Sequence, residues 1–431
     1  MTYGLIGANL SYSFSKLIHE KLGDYQYSLF SLNEEQFKQM LSERKFDGVN
    51  ITIPYKKMAM SFCDEISEIA KEIGAINTIY KKDGKLVGTN TDYNGFLYMA
   101  KRAGISLKSK KVLILGIGGT SLTVQKCARD MEVREISVAY RGHDFSLDRD
   151  AEIIVNTTPV DMFPNNGEKL IDLADFPNCE GVLDVVYNPL YTDVLLRAKE
   201  YGILHSGGLP MLVAQATAAA SLFTGRNYEA GKSYDTGKSY EAGENCEAGK
   251  NYEDRNEEIL SWLLSSIKNI ILIGMPGSGK STVGKMLAKE LGKTFVDLDE
   301  VIAVKAGMSI PKIFETQGEA FFRDMETEVC KEYGKQKNCV VATGGGAVLR
   351  KENMDALLQN GEAFFLDRNI KNLETAGRPL SANFEAIQKL YDDRLPLYQK
   401  YSAHTIDCIE NVTRGALETA SKITSILQTQ L

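Results

Sequence analysis

The sequence predicts an α/β protein in two globular halves, and three observations carry that reading. Short apolar strands alternate with helical stretches along most of the chain, the order that places helices on the faces of a sheet. Two of those strands open into glycine-rich turns followed by a helix, at Gly116–Ser121 and Gly274–Ser281. One stretch, Asn227–Asn256, breaks the pattern with a repeated hexapeptide, NYEAGK, SYDTGK, SYEAGE, NCEAGK, NYEDRN, and holds no Leu, Ile, Val, Phe or Met. Without aliphatic residues a segment cannot bury enough surface to offset its ordering entropy. Hexapeptide repeats also build β-helices, but such coils need an aliphatic residue in each unit. The expectation is a flexible linker over residues 227–256, separating Met1–Arg226 from 257–431.

Bulk properties narrow the class. A length of 431 residues allows two or three domains with cores of their own, and 43% hydrophobic with 25% charged residues is a soluble globular composition. The net charge of −7, with no basic arm, argues against a nucleic-acid partner. Seven scattered Cys without a CxxC pair indicate neither a disulfide framework nor a zinc site. The N-terminus MTYGLIGANLSYS lacks the pattern of a secretory signal. The apolar run Leu209–Phe223 contains Gln215 and Thr217 and is too short to span a bilayer. A cytoplasmic protein with small-molecule partners, and no membrane or nucleic acid, is expected.

In the first half, Tyr3–Ile6 is a short strand running into GANLSYSFSKLIHE. Ser11, Ser13 and Ser15 alternate, so an extended backbone would point three hydroxyls one way. They either solvate a loop and cap a helix at Ser15, or form a comb of donors for a polyhydroxylated ligand. Phe46–Tyr55 reads as a strand closed by Pro54 and followed by Lys56, then a helical stretch Met58–Ile73. Gly74–Tyr80 is a further strand, and Asp83-Gly84 signals a hairpin. Asn50, Thr52, Asn77, Asn90 and Asp92 all stand at strand ends, where polar site residues of α/β sheets gather. The strand Lys111–Leu115 opens into Gly116-Ile117-Gly118-Gly119-Thr120-Ser121 and a helix to Arg129. A helix N-terminus after such a turn faces a pyrophosphate. The next strand, Glu135–Tyr140, ends in Tyr140-Arg141 with no acidic residue at its tip; Arg141 either suits the 2′-phosphate of NADP or is a surface arginine without a role. Strands Asp150–Val155 and Gly181–Tyr187 follow.

SYSFS, NITIPYK, GAINT, NTD, GIGGTS, the AYR strand end, VNTTPV, DVVYNPLYT and GGLPMLVAQA occur together and in order, and over nearly all of Met1–Arg226 the chain resembles shikimate dehydrogenase. The resemblance implies an α/β substrate domain over 1–98 that recovers a helix at 211–226, with a Rossmann NADP domain at 99–210 between them. It implies that Ser13, Ser15, Thr52, Asn77, Asp92, Tyr187 and Gln215 hold the substrate and that Lys56 and Asp92 form the catalytic pair. NADP(H) would lie on Gly116, Gly118, Gly119 and Thr120, with Arg141 on its 2′-phosphate and Gly208 near the nicotinamide. Lys16, Asp161 and Gly142 depart from the usual Pro, Gly and Thr. The chemistry agrees with the pair. Hydride addition to a ketone leaves charge on oxygen, and an ammonium in reach supplies charge and proton.

In the second half the strand Ile267–Ile273 runs into Gly274-Met275-Pro276-Gly277-Ser278-Gly279-Lys280-Ser281 and the helix Thr282–Leu291. This is GxxxxGK[ST] in its required context. Backbone N–H groups from Gly277 to Thr282 cradle phosphates, Lys280 reaches the β/γ-phosphates, and Ser281 binds Mg²⁺. Phe295–Asp299 reads as a strand, which would put Asp297 and Asp299 on one face. GEAFFR follows, continuing to Glu326. The strand Cys339–Ala342 then opens into Gly344-Gly345-Gly346, ahead of Gly377-Arg378-Pro379-Leu380 and DRLPLY at 393–398. Over 267–431 these motifs resemble shikimate kinase, a P-loop α/β fold. The resemblance implies ATP and Mg²⁺, with Asp299 taking the acceptor hydroxyl and Arg323, Arg394 and Gly345 holding shikimate. It also implies that Asp297 helps place the metal's waters and that Arg378 closes onto the phosphates; the lid is shortened on both flanks of GRPL. The expected activity is reduction of 3-dehydroshikimate followed by phosphorylation of shikimate. A quinate dehydrogenase in the first half, or one half kept only as a ligand-binding module, are the rival readings.

Overall fold

In the computed structural model, which describes residues 2–23, 25–225, 252–373, 384–408 and 412–429, the chain forms two units. One comprises Met1–Met162 and Lys169–Leu263, the other Phe163–Glu168 and Leu264–Leu431. Among the described residues no helix is long and apolar enough to cross a membrane.

The first unit holds two sheets. β1 (Tyr3–Gly7), β2 (Tyr27–Ser31), β3 (Gly48–Ile51), β4 (Glu65–Ile66), β5 (Thr78–Lys82) and β6 (Lys85–Thr89) form a sheet in the order β2-β1-β3-β5-β6-β4. β1 pairs in parallel with β2 and β3, whereas β5 runs antiparallel to β3 and β6. The β5–β6 turn is the predicted hairpin. Asp83 and Gly84 both take positive φ, 50° and 79°, as a two-residue turn matched to strand twist requires. β7 (Lys111–Leu115), β8 (Glu135–Ala139), β9 (Ile153–Asn156), β10 (Gly181–Asp184) and β11 (Leu204–Ser206) form an all-parallel sheet ordered β11-β10-β9-β7-β8. Every residue of β7, β9 and β10 is buried, as expected of strands covered on both faces. The helix Leu209–Thr224 packs on the helices Asp92–Arg102 and Ser15–Leu22, and Tyr3 Oη donates to Phe223 O at 3.0 Å. It thus packs back against the elements of the first sheet.

In the second unit β12 (Asn269–Ile273), β13 (Thr294–Asp297), β14 (Cys339–Ala342), β15 (Gly361–Asp367) and β16 (His404–Asp407) form a parallel sheet ordered β13-β14-β12-β15-β16. β12 is central and wholly buried, and the helix Lys280–Leu291 follows it through the Gly-rich loop.

Three expectations are corrected. Met58–Ile73 is not one helix but a 3₁₀ turn at Met58–Phe62, then β4, then the helix Glu68–Ile73. Asp64 is drawn out of helical register by Leu86 N (2.8 Å) and Arg44 (2.8 and 2.9 Å), and Ser67 restarts the chain as an N-cap. Asp297 and Asp299 do not share a strand face. Asp297 ends β13 and caps the helix Leu298–Ala306, accepting from Asp299 N at 3.1 Å, so Asp299 sits in the first helical turn.

The third correction concerns the repeat tract. Residues 226–251 lie outside the described residues, as does the expectation that they are flexible. The helices on either side, Leu209–Thr224 and Tyr252–Ile267, both belong to the first unit, the latter as far as Leu263. Residues 257–263, expected with the second half, are therefore part of the first. Tyr252 Oη donates to Ala214 O at 2.6 Å, Lys101 pairs with Glu253 at 2.5 Å, and Tyr98 and Arg102 both donate to Glu257, Arg102 at 2.8 Å. Ile259, Leu260 and Leu263 are buried, each burial contributing about 2 kcal/mol. The tract joins two helices of one unit, and the chain leaves that unit inside the helix Tyr252–Ile267.

Candidate active sites in the two units

In the first unit the polar groups collect where the ends of β3, β5 and β6 meet the turn after β7. Lys56 Nζ lies 2.5 Å from Asp92 Oδ2 and donates to Thr120 Oγ1 at 3.1 Å. Asp92 begins the helix Asp92–Arg102, and its other oxygen accepts from Asn77 Nδ2 at 2.8 Å. Asn77 Nδ2 also reaches Gln215 Oε1 at 3.3 Å, while its Oδ1 accepts from Thr91 N at 2.7 Å. Lys56, Asp92, Asn77, Gln215 and Thr120 are thus one hydrogen-bonded set, drawn from both sheets and the returning helix.

The serine comb divides. Ser11 Oγ turns back to Asn9 Oδ1 at 2.9 Å, whereas Ser13 bonds Ser15 Oγ at 3.1 Å and the Tyr187 side chain. Ser13, Ser15 and Tyr187 form a second group. Thr52 makes no side-chain hydrogen bond among the described residues; its methyl packs where a Cβ on Gly7 would stand, 2.5 Å away.

The turn Gly116–Thr120 fits a dinucleotide phosphate. Gly116 takes φ 111°, and a Cβ there would stand 2.7 Å from Thr157 Oγ1. Gly118 caps the helix Gly119–Asp130 without a side-chain hydrogen bond and faces open space, so the first N–H groups keep their donor capacity. A Cβ on Gly208 would stand 2.1 Å from Val185 O, so that close approach admits only glycine. Arg141 is exposed just past β8, the strand beside β7, with no ion pair among the described residues. Asp161 has φ 62°, the left-handed conformation natural to Gly, and its Oδ2 accepts from Asp193 N at 2.5 Å, capping the next helix.

Sequence reasoning missed Asp184. This fully buried carboxylate ends β10 and accepts from Asn156 Nδ2 (2.9 Å), Val186 N (2.9 Å) and Thr192 Oγ1 (2.6 Å), fixing the turn that carries Tyr187. Burial pushes its pKa up to about 7 against those three donors. Within DVVYNPLYT only Tyr187 is given a role by the sequence, and an acidic residue closing an apolar strand is the signal that points to Asp184.

In the second unit Lys280 Nζ donates to Gly274 O at 2.8 Å and Met275 O at 2.9 Å. Ser281 Oγ lies 2.5 Å from Asp297 Oδ2. Two hard oxygens side by side at the phosphate loop fit Mg²⁺, which keeps several waters and takes few protein ligands. Asp299 is nearly buried, and its pKa is pushed up to about 6 by burial first and by Asp297, with Lys280 opposing.

Arg323 Nη1 pairs at 2.8 Å with Glu326, which is 1% exposed, and Arg323 Nη2 with Glu319 at 3.1 Å. Burial raises the Glu326 pKa, with Arg323 opposing. The three glycines after β14 are needed for space. A Cβ on Gly344 would stand 2.7 Å from Asp299 Oδ1 and 2.8 Å from Glu326 Oε1, and one on Gly346 2.2 Å from Arg323 Nη1. Gly345 O accepts from the buried Arg394 at 3.1 Å and from Tyr398 Oη at 2.6 Å, so Gly345 positions Arg394 through its carbonyl. Asp299, Arg323 and Gly345 are thus brought together with Arg394, and Glu326 and Tyr398 join them unforeseen. Gly277, Ser278 and Gly279 lie in the loop as expected, with Thr282 in the following helix. Arg378 lies outside the described residues.

Comparison with known proteins follows the same division. A model of the shikimate dehydrogenase substrate binding domain matches residues 5–79, and a shikimate kinase model matches 276–428. A shikimate dehydrogenase (NADP(+)) of Clostridium perfringens strain SM101 is 35% identical over 249 residues, 52% of this chain and 92% of that protein. Among solved structures, a chorismate mutase/shikimate 5-dehydrogenase fusion protein from Clostridium acetobutylicum is 31% identical, with a TM-score of 0.51, over 61% of this chain and 96% of its own. A shikimate kinase from Acinetobacter baumannii in complex with shikimate is 34% identical over 39% of this chain and 98% of its own, with a TM-score of 0.37.

Proposed function

The chain belongs to the shikimate dehydrogenase family, joined to a shikimate kinase domain at residues 276–428, and from that premise we propose that it carries out two consecutive steps. The first unit reduces 3-dehydroshikimate to shikimate with NADPH. The second phosphorylates the hydroxyl so formed with Mg-ATP, giving shikimate 3-phosphate on the route to aromatic amino acids. Both act in the cytoplasm.

NADPH would lie on Gly116–Thr120 with Arg141 at its 2′-phosphate and Gly208 at the nicotinamide, and when bound it supplies the hydride. Lys56 donates a proton to the substrate oxygen, and Asp92 holds Lys56 in place and accepts from a neighbouring hydroxyl. Asn77, Gln215, Thr52, Ser13, Ser15 and Tyr187 bind the ring hydroxyls and carboxylate. In the second unit Arg323 and Arg394 take the shikimate carboxylate. Asp299 accepts the proton of the attacking hydroxyl, and Lys280 with the loop N–H groups holds the phosphates. Mg²⁺ beside Ser281 and Asp297 would supply charge neutralisation when bound.

The observation that carries the proposal is the direct bonding of Lys56 to both Asp92 and Thr120, which puts a proton donor against a dinucleotide turn. The test supplies dehydroshikimate, NADPH, ATP and Mg²⁺ together and follows NADPH loss and ADP release. Both should proceed, with one ADP for each NADPH. NADPH loss without ADP would leave the second unit a binding module, and oxidation of quinate in preference to shikimate would reassign the first.

A further inference from the structure

The second unit carries a cation at its phosphate loop that the reading above does not use. β15 pairs with β12 in parallel register, Ile273 opposite Phe365, so the residues just past β15 stand level with the loop Gly274–Gly279. The contact is close: a Cβ on Gly274 would stand 2.6 Å from Leu366 O. Gly279 takes φ 98°, and the one heavy atom within 4 Å of its Cβ position is Arg368 Nη1, at 4.0 Å. Arg368 is half-buried, and among the described residues its Nε is buried without a hydrogen-bond partner and its guanidinium is in no ion pair. The adjacent carboxylate, Asp367, is engaged instead by Tyr391 Oη at 3.1 and 3.3 Å. Past the end of β16 the Cys408 thiol is raised by burial, with Thr419 and then Arg368 opposing, which places the guanidinium between the loop and that strand end.

A guanidinium left unneutralised and partly dry is costly unless an anion meets it, and its planar fork suits phosphate oxygens. Lys280, by contrast, is turned onto the loop carbonyls. From this geometry we propose that Arg368 binds the phosphate chain of the nucleoside triphosphate on the Gly279 side of the loop. It acts on nucleotide affinity and not on shikimate. The inference rests on the kinase reading only for the identity of the acceptor.

The test compares Arg368→Gln and Arg368→Lys with the unaltered protein, measuring Mg-ATP binding by calorimetry and, separately, steady-state phosphorylation. One charged hydrogen-bonded contact is worth about tenfold in affinity, so Arg368→Gln should raise the Mg-ATP Kd and the KM for ATP by about that factor. The KM for shikimate and the affinity for adenosine should be unchanged, and Arg368→Lys should recover part of the loss. An unchanged denaturation midpoint of the second unit in the same variants reports an intact fold. An unchanged Mg-ATP Kd, or an equal loss for adenosine, would overturn the proposal. If the unaltered protein binds Mg-ATP with this dependence yet phosphorylates no shikimate, the kinase reading fails and the assignment of Arg368 stands.

Discussion

The two sites handle charge in opposite ways. Lys56 and Asp92 form a 2.5 Å ion pair with side chains 12% and 10% exposed, so the first site sets one cation against one anion. In the second, Asp297, Asp299 and Glu326 crowd together, and Asp299 has no ion pair among the described residues. Burial first, and Asp297 after it, push its pKa up to about 6. The chemistry accounts for the difference. Completing a hydride transfer needs a proton donor held in reach of the new oxyanion, and the paired carboxylate fixes the Lys56 side chain in place. Phosphoryl transfer needs an acceptor for a hydroxyl proton, and a carboxylate raised to about 6 is a better base at pH 7 than an ordinary one.

Breaking the pair should have the largest effect. Lys56→Ala is expected to lower the rate of dehydroshikimate reduction by about a thousandfold, with phosphorylation of added shikimate unchanged. Assaying the two reactions separately decides it, and equal loss of both in a folded variant would contradict separate sites. In the second unit, Glu326→Ala removes the buried partner of Arg323 beside Gly346 and leaves it only the half-exposed Glu319. It should cost about 3 kcal/mol in denaturant unfolding of that unit, in line with broken buried pairs. Asp299→Asn should slow phosphorylation by about a hundredfold. In the unaltered protein phosphorylation should fall as pH drops through about 6, because the base becomes protonated, and the variant's residual rate should lack that limb.

A smaller effect separates Asp184 from both. Its folded pKa, about 7, lies above the ordinary value of 3.8, so between those pH values the folded chain holds a proton that the unfolded chain has released. Its contribution to stability is therefore present at low pH and is lost as pH rises toward 7. Asp184→Asn should flatten that decline, read from denaturation midpoints at pH 5 and 7.5. The smallest effect is expected from removing two of the hexapeptide units, residues 233–244. Both activities should stay within about twofold, because the tract links two helices of the first unit and loop length costs little.

What was legible in the sequence was whatever is written locally. The strand–glycine–helix turns, the hairpin at Asp83-Gly84 and the strand-end positions of Asn77 and Asp92 are legible because short-range backbone rules set them, whereas the pairing of Lys56 with Asp92 is expected only from the family resemblance. What was missed depends on partners distant in sequence. The helix Tyr252–Ile267 follows an uninformative tract, and only its contacts with Tyr98, Arg102 and Ala214 assign it to the first unit. Period-2 reasoning failed at Asp299 because Asp297 is itself a helix cap, and that capping starts the helix two residues earlier than the apolar pattern indicates. Glu326 lies among the charged residues of the helix Gly318–Gly334, where one carboxylate stands out from its neighbours only once its burial is known.

The central claim is that one chain carries two self-sufficient sites for consecutive chemistry. Mixing the two damaged proteins tests it most directly: Lys56→Ala with Asp299→Asn, given dehydroshikimate, NADPH, ATP and Mg²⁺. The first variant retains phosphorylation and the second retains reduction. The account predicts that neither alone forms shikimate 3-phosphate at more than its residual rate, and that the mixture forms it after a lag while free shikimate accumulates. A mixture as inactive as its components, with each remaining activity intact when assayed alone, would contradict it.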